Sequence, residues 1–212
     1  AAVGKDSMAA NTTGGVNAAL GVSAMFRNTT GDANTAIGYS SLNANTTADY
    51  NTAIGYGSLN VNTTGASNVA VGANALDANT TASNNTAVGF DALTANTTGT
   101  LNTAVGKDAG LSVTTGGQNT LIGASSGDAL TTGGNNVAIG ISALSSDTTG
   151  GKSVAIGYAA LFTQNQTGGA DAFNVAVGAS AGQLVTTGTQ NTLVGGLAGD
   201  AITTASYNTA VG

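Results

Sequence analysis

The chain of 212 residues has no cysteine, proline, tryptophan or histidine, its ten acidic residues are all aspartate, and only 7% of its residues are charged. Each gap removes a class of chemistry. Without Cys and His there is no disulfide framework, no thiolate or imidazole metal centre, and no Cys–His or Ser–His–Asp catalysis. Four Lys and Arg against ten Asp leave a net charge of −6. Nucleic acid demands a basic face, so no nucleic-acid partner is expected. Asn, Thr or Gly breaks every apolar run within a few positions, far short of the ~20 residues of a spanning helix, so no membrane span is expected.

What is present is a repeat, the feature to seek first because it decides the fold. The glycine closing N-T-A-V-G recurs at Gly4, Gly21, Gly38, Gly55, Gly72, Gly89, Gly106, Gly123, Gly140, Gly157, Gly178, Gly195 and Gly212. Eleven of the twelve intervals are 17 residues and the one from Gly157 to Gly178 is 21. Positions are counted below from this glycine, position 0. Position 16 is always Val, Ile or Leu, and position 3 is always Ala or Ser, a steric rule expected where backbone approaches closely. The chain reads as one repeat array over 1–212, a segment of a longer protein, with an irregular four-residue insertion within 162–173.

Gly and Asn every few residues oppose a helix, and β-branched residues gather at the apolar positions, so strands are expected. The predicted fold is all-β: a parallel β-solenoid with about one coil per 17 residues, two strands of about five residues in each flattened coil, and coils stacked about 4.8 Å apart into a rod roughly 55–60 Å long.

Two kinds of coil alternate in blocks. Most carry Leu or Met at position 4, whereas four carry Gly110, Gly127, Gly182 and Gly199 there and gain Val113, Leu130, Val185 and Ile202 before the Thr pair. Among those coils the Ala of N-T-A-V-G also becomes Leu121 and Leu193, so volume moves within one packed interior. That Ala therefore points inward. Strand alternation turns Ile37, Ile54, Val71, Val88, Val105 and their equivalents outward, an apolar stripe too long to leave in water. Lateral self-association is expected, most simply as a symmetric oligomer around the rod axis.

Asn34, Asn51, Asn68, Asn85, Asn102 and the matching Asn of other coils are read as a structural ladder, since amides at strand spacing hydrogen-bond along the axis. The anchors Gly38, Gly55, Gly72, Gly89 and Gly106 belong to the same framework. The Thr pair is expected to place one residue inward and one outward. Six N-T-T triplets, beginning at Asn11, Asn28, Asn45, Asn62, Asn79 and Asn96, satisfy the glycosylation sequon, but glycans one coil apart would collide. Gly150-Gly151-Lys152-Ser153 resembles the end of a phosphate-binding loop without its first glycine. The Asp residues lack a calcium-loop spacing and form no recurrent pair, so no metal, cofactor or catalytic site is expected. Tyr39, Tyr56, Phe90 and Tyr158 at position 1 suit turn-edge packing better than sugar stacking. The insertion, with Thr163, Gln164, Asn165, Gln166 and Asp171, is the candidate contact loop, because loops leaving a solenoid often carry recognition.

Ser153 to Gly157, S-V-A-I-G, and Asn68 to Gly72, N-V-A-V-G, resemble the head repeats of trimeric autotransporter adhesins. The full unit from Asn34 to Tyr50 resembles repeat shafts of phage tail-fibre-like and bacterial surface proteins that end in a self-cleaving intramolecular chaperone. The resemblance implies a left-handed β-roll assembled as a homotrimeric rod. The expected function is therefore a structural extracellular fibre or an adhesin shaft or head, on a cell surface or virion, that self-associates and meets a host-surface glycan or receptor. Two alternatives stand beside it: an ice- or crystal-surface-binding solenoid using Thr and Asn ladders, and a glycan-binding or glycan-cleaving tail spike.

Overall fold

The computed structural model describes residues 1–212 and contains thirteen strands and no helix. After β1 (Ala2–Val3), every strand has three residues, from β2 (Ala18–Leu20) through β10 (Val154–Ile156) and β11 (Val175–Val177) to β13 (Thr209–Val211). They form one parallel sheet in chain order. Register follows the repeat: Thr35 pairs with Thr52, Ala36 with Ala53 and Ile37 with Ile54. The longer interval leaves it undisturbed, with Val154, Ala155 and Ile156 opposite Val175, Ala176 and Val177. The fold is a parallel β-solenoid, as the period predicts.

Each coil holds one strand, not two, and the strand is shorter than expected. The cause lies in the backbone between positions 0 and 12. Residues at positions 2, 4 and 12 have positive φ, for example Ser40 at 52°, Leu42 at 50° and Tyr50 at 60°. Successive left-handed residues turn the chain too often for a second strand. Axial bonding continues regardless: Leu42 N–H donates to the Ser58 carbonyl at 2.9 Å and Ala44 N–H to the Asn60 carbonyl at 2.9 Å. A left-handed Leu is costly, and burial of its side chain together with this bond holds it there.

The anchor glycine is dictated twice over. Gly38 has φ +133°, and a Cβ there would lie 2.7 Å from the carbonyl carbon of Gly55 in the next coil. The same contact with the next anchor's carbonyl recurs at Gly55, Gly72, Gly89 and Gly106.

Ala36, Ala53, Ala70, Ala87 and Ala104 are fully buried, so the middle strand residue points inward as expected. Position 4 fills the interior beside it with Met25, Leu42, Leu59, Leu76 and Leu93. The glycine-bearing coils show the transfer of volume directly. A methyl group on Gly110 would meet Leu121 Cδ1 at 2.7 Å and Leu93 Cδ2 at 2.9 Å, and one on Gly182 would meet Leu193 Cδ1 at 2.7 Å. Gly110→Leu alone should lower stability by about 1–3 kcal/mol through overpacking, and Leu121→Ala alone by about 2–5 kcal/mol. In the double variant the two losses should cost at least ~1 kcal/mol less than their sum, measured by urea denaturation. Additive losses would place the two side chains in separate spaces.

Candidate functional site

No cavity opens on the surface, so the candidate site is a face, and its geometry follows from what the interior consumes. A third of the interior is polar, 22 of the 67 buried residues. Asn34, Asn51, Asn68, Asn85 and Asn102 are fully buried. Each side-chain Oδ1 accepts the backbone N–H of the Asn one coil on, Asn51 N–H to Asn34 Oδ1 at 2.8 Å and Asn102 N–H to Asn85 Oδ1 at 2.9 Å. Each Nδ2 donates fourteen residues onward, as from Asn34 to the Ala48 carbonyl at 2.8 Å.

A second asparagine ladder, built from the asparagines of the sequons, runs beside the first. Asn28, Asn45, Asn62, Asn79 and Asn96, at position 7, are fully buried as well. Here amide bonds amide, with Asn45 Nδ2 donating to Asn28 Oδ1 at 2.7 Å and Asn79 Nδ2 to Asn62 Oδ1 at 2.9 Å. The other amide hydrogen goes to the carbonyl that the first ladder also binds: Ala48 O receives Asn34 Nδ2 at 2.8 Å and Asn45 Nδ2 at 3.0 Å. With both amide hydrogens bonded inside the rod, these five sequon asparagines offer no nitrogen to a glycosyltransferase in the folded chain.

This column ends where the apolar coils begin. Val113 follows Asn96, whose Oδ1 is buried without a partner. Asn at position 7 accompanies Leu or Met at position 4, and Val, Leu or Ile accompanies Gly; that covariation is the signal that marks position 7 as interior.

The column returns as Asp147 and Gln164, both fully buried, at the insertion. Asp147 Oδ1 accepts the N–H of Gly150 at 2.9 Å and of Gln166 at 3.2 Å, and its Oδ2 accepts Gln164 Nε2 at 2.7 Å. Gln164 Nε2 also reaches Ser153 Oγ at 2.9 Å, and Asn174 Nδ2 donates to Gln164 Oε1 at 2.8 Å. Among the candidate contact residues, then, Gln164 and Gln166 face the interior, Thr163 and Asn165 are half-buried, and Asp171 is exposed in an ion pair with Lys152 at 2.7 Å. Lys152 also lies 5.2 Å from the centre of the Phe173 ring. Gly150, Gly151 and Ser153 are buried, which leaves the phosphate-loop lookalike without a cradle.

Outside, three faces differ. The sheet face carries positions 14 and 16, with Ile37 38% and Val105 36% exposed and Ile54, Val71 and Val88 half-buried by their neighbours. With Asp171 counted back from Gly178 across the insertion, none of the ten Asp falls at positions 12, 14, 16 or 1, whereas Lys5 and Lys107 stand at position 1 and Lys152 at position 12. Position 1 edges this face with Tyr39, Tyr56, Phe90 and Tyr158, all exposed, and the Tyr39 and Tyr56 rings stack with centroids 5.4 Å apart. The Thr pair occupies a second face and departs from the expected in–out alternation, because the chain bends there instead of extending. Its first member spends its hydroxyl on the next coil, Thr29 Oγ1 to the Thr46 carbonyl at 2.9 Å; the second, such as Thr30, Thr47 and Thr64, is exposed. The third face bears Asp77, whose buried Oδ1 has no partner. Comparison of the chain with protein-family models, with curated proteins and with solved structures finds no match.

Burial raises the Asp77 carboxyl above its ordinary 3.8, opposed by the Asn60 hydrogen bond and aided by Asp91. A raised folded value means that the stabilisation is complete below the unfolded value and is lost as pH rises through the folded one. Asp77→Asn should therefore raise the melting temperature at pH 7 and leave it nearly unchanged at pH 3, as followed by circular dichroism. Asp147→Asn replaces one acceptor oxygen by a donor facing N–H groups, and should cost about 1–3 kcal/mol in urea denaturation.

Proposed function

We propose that this chain is a length of structural rod, a shaft or head segment of an extracellular fibre or adhesin, whose copies associate along the sheet face and present the other faces for attachment. The observation that carries the reading is the sheet face itself. Its two outward columns run the full length of the array in unbroken register, are rich in Val, Ile and Thr, and hold no charged residue. The strands alone offer roughly 600 Å² and, with the position 1 and 12 columns, which carry Lys5, Lys107 and Lys152 at their edges, about twice that. A stable interface takes about 800 Å² from each partner. Three copies around a common axis would close the assembly without a free face of this kind, which agrees with the trimer that the resemblance implies.

Low charge, absent cysteine and a framework of backbone and amide bonds suit a particle exposed on a cell surface or virion. A glycan or protein receptor then fits the Thr face, the aspartate-bearing face or the insertion. The ice-binding alternative is less well supported, because the first Thr of each pair spends its hydroxyl on the axial ladder and a single exposed Thr column remains. A glycan-cleaving spike would need paired carboxylates, and the buried Asp147 is bonded to amides instead.

In solution the chain should scatter light with a mass near three times 20.1 kDa and an elongated profile. Val88→Lys combined with Val105→Lys, both pointing outward, should reduce the mass to that of one chain and keep the circular dichroism spectrum. A wild-type monomer at tens of micromolar would overturn the reading.

A further inference from the structure

We infer that the insertion is an endoproteolytic processing site, cut by a protease with a small-residue pocket, and that the rod survives the cut as one particle. The proposal concerns covalent modification and does not depend on self-association. Residues 167–171 form the longest exposed run away from the first and last coils. Gly168 and Gly169 have φ of +73° and +76°, with nothing within 4 Å of where a side chain would begin. The N–H groups of Thr167 and Gly168 have no partner, and Gly169 N–H reaches only the Thr149 hydroxyl, at 3.2 Å.

In the regular coils, by contrast, backbone around the cationic residues is tied along the axis. Arg27 N–H donates to the Asn43 carbonyl at 2.9 Å, Lys152 N–H to the Gly134 carbonyl at 3.2 Å, and the Lys107 carbonyl accepts Ser125 N–H at 2.9 Å. A protease needs several residues in extended form, and drawing them from a coil would break bonds to the coils above and below. Thr167-Gly168-Gly169-Ala170 gives up almost none and offers no bulky or charged side chain.

Both roots of the loop are fastened independently of it. Gln164 and Gln166 hold the upstream root through Asp147. Downstream, Asn174 Nδ2 donates to the Gly188 carbonyl at 2.7 Å, Ala172 N–H to the Gly151 carbonyl at 2.9 Å, and Asp171 pairs with Lys152. The sheet passes beneath with its pairing intact. Hydrolysis between Gly169 and Ala170 adds one water across the amide, leaving a carboxylate on Gly169 and an amine on Ala170, and breaks no contact that joins β10 to β11.

The test is limited digestion of the native chain with an elastase-class protease and, separately, with trypsin. Elastase should give two fragments of about 16 and 4 kDa on a denaturing gel. Light-scattering mass and circular dichroism should match the uncut sample. Trypsin should leave the bond from Arg27 to Asn28 and those after Lys107 and Lys152 at least tenfold slower to cut. Ala170→Lys should create one rapid tryptic cut, whereas Ala95→Lys, in a regular coil, should create none. Deleting residues 167–170 should abolish the elastase cut; should that variant fail to fold, the Ala170→Lys and Ala95→Lys pair decides alone. First cleavage elsewhere, equal tryptic rates at the two new lysines, or separation of the fragments would overturn the proposal.

Discussion

A buried carbonyl governs this structure. The C=O at position 10 of the coils with both ladders, such as Ala48, Gly65 and Ala82, lies inside the rod and receives two asparagine amides. A buried polar group is costly unless it is bonded, so burying two columns of asparagine is tolerable only when nearly every donor and acceptor is matched. That matching fixes the repeat length. The first ladder bridges fourteen residues and the second bridges three, and both must arrive at one oxygen while the Asn at position 13 caps the next coil's backbone. Adding or removing a residue between positions 7 and 10 would disturb both bonds together. The single 21-residue interval is consistent with this: there the polar interior is rebuilt from Gln164 of the long coil with Asp147 and Ser153 of the coil before it, because the asparagine arrangement does not fit.

The apolar half obeys a different constraint, constant volume. Three columns share the space, at positions 4, 7 and 15, and they vary together. Glycine at position 4 relaxes the left-handed backbone but vacates the room of a leucine. Leu121 fills that room from the strand for both Gly110 and Gly127, and Val113 and Leu130 replace asparagine. The exchange costs a polar rung, and Asn96 with its unpaired oxygen marks the boundary. Coherent switching of three columns explains why the coil types occur in blocks: an isolated apolar coil would interrupt the amide ladder on both sides.

These two constraints separate what the sequence made legible from what it did not. Period, parallel register, inward Ala and the movement of volume were all readable, because each leaves a mark in residue type at fixed spacing. The strand count was not. Left-handed backbone at Tyr50 leaves no compositional trace, since such residues rarely adopt it and no glycine occurs at position 12. At position 4 the four glycines read as lost volume, although they also mark the left-handed turn. The Thr pair misled for the same reason, as alternation holds only for extended chain. Asn45 and its equivalents were hidden by the sequon they complete, although their covariation with position 4 pointed inward. At the insertion, Gln164 and Gln166 read as exposed polar residues, whereas the fold turns both inward against Asp147.

The location of the insertion separates two kinds of surface on the rod. Four extra residues enter after position 9, on the Thr face, and not within the strand or its corners. Placed in the strand, they would have displaced the outward columns by an even number of residues and broken the stacking of Ile156 on Val177. Placed where they are, they interrupt a face of exposed threonines and leave the uncharged sheet face continuous from β1 to β13. A surface that tolerates interruption and one that stays smooth are under different demands. Continuity of the sheet face is what lateral packing of equal rods requires, since one protruding loop would hold two such faces apart. The Thr face, free of that requirement, is where a loop, a protease site or a receptor contact can be accommodated at little cost to the axial bonds.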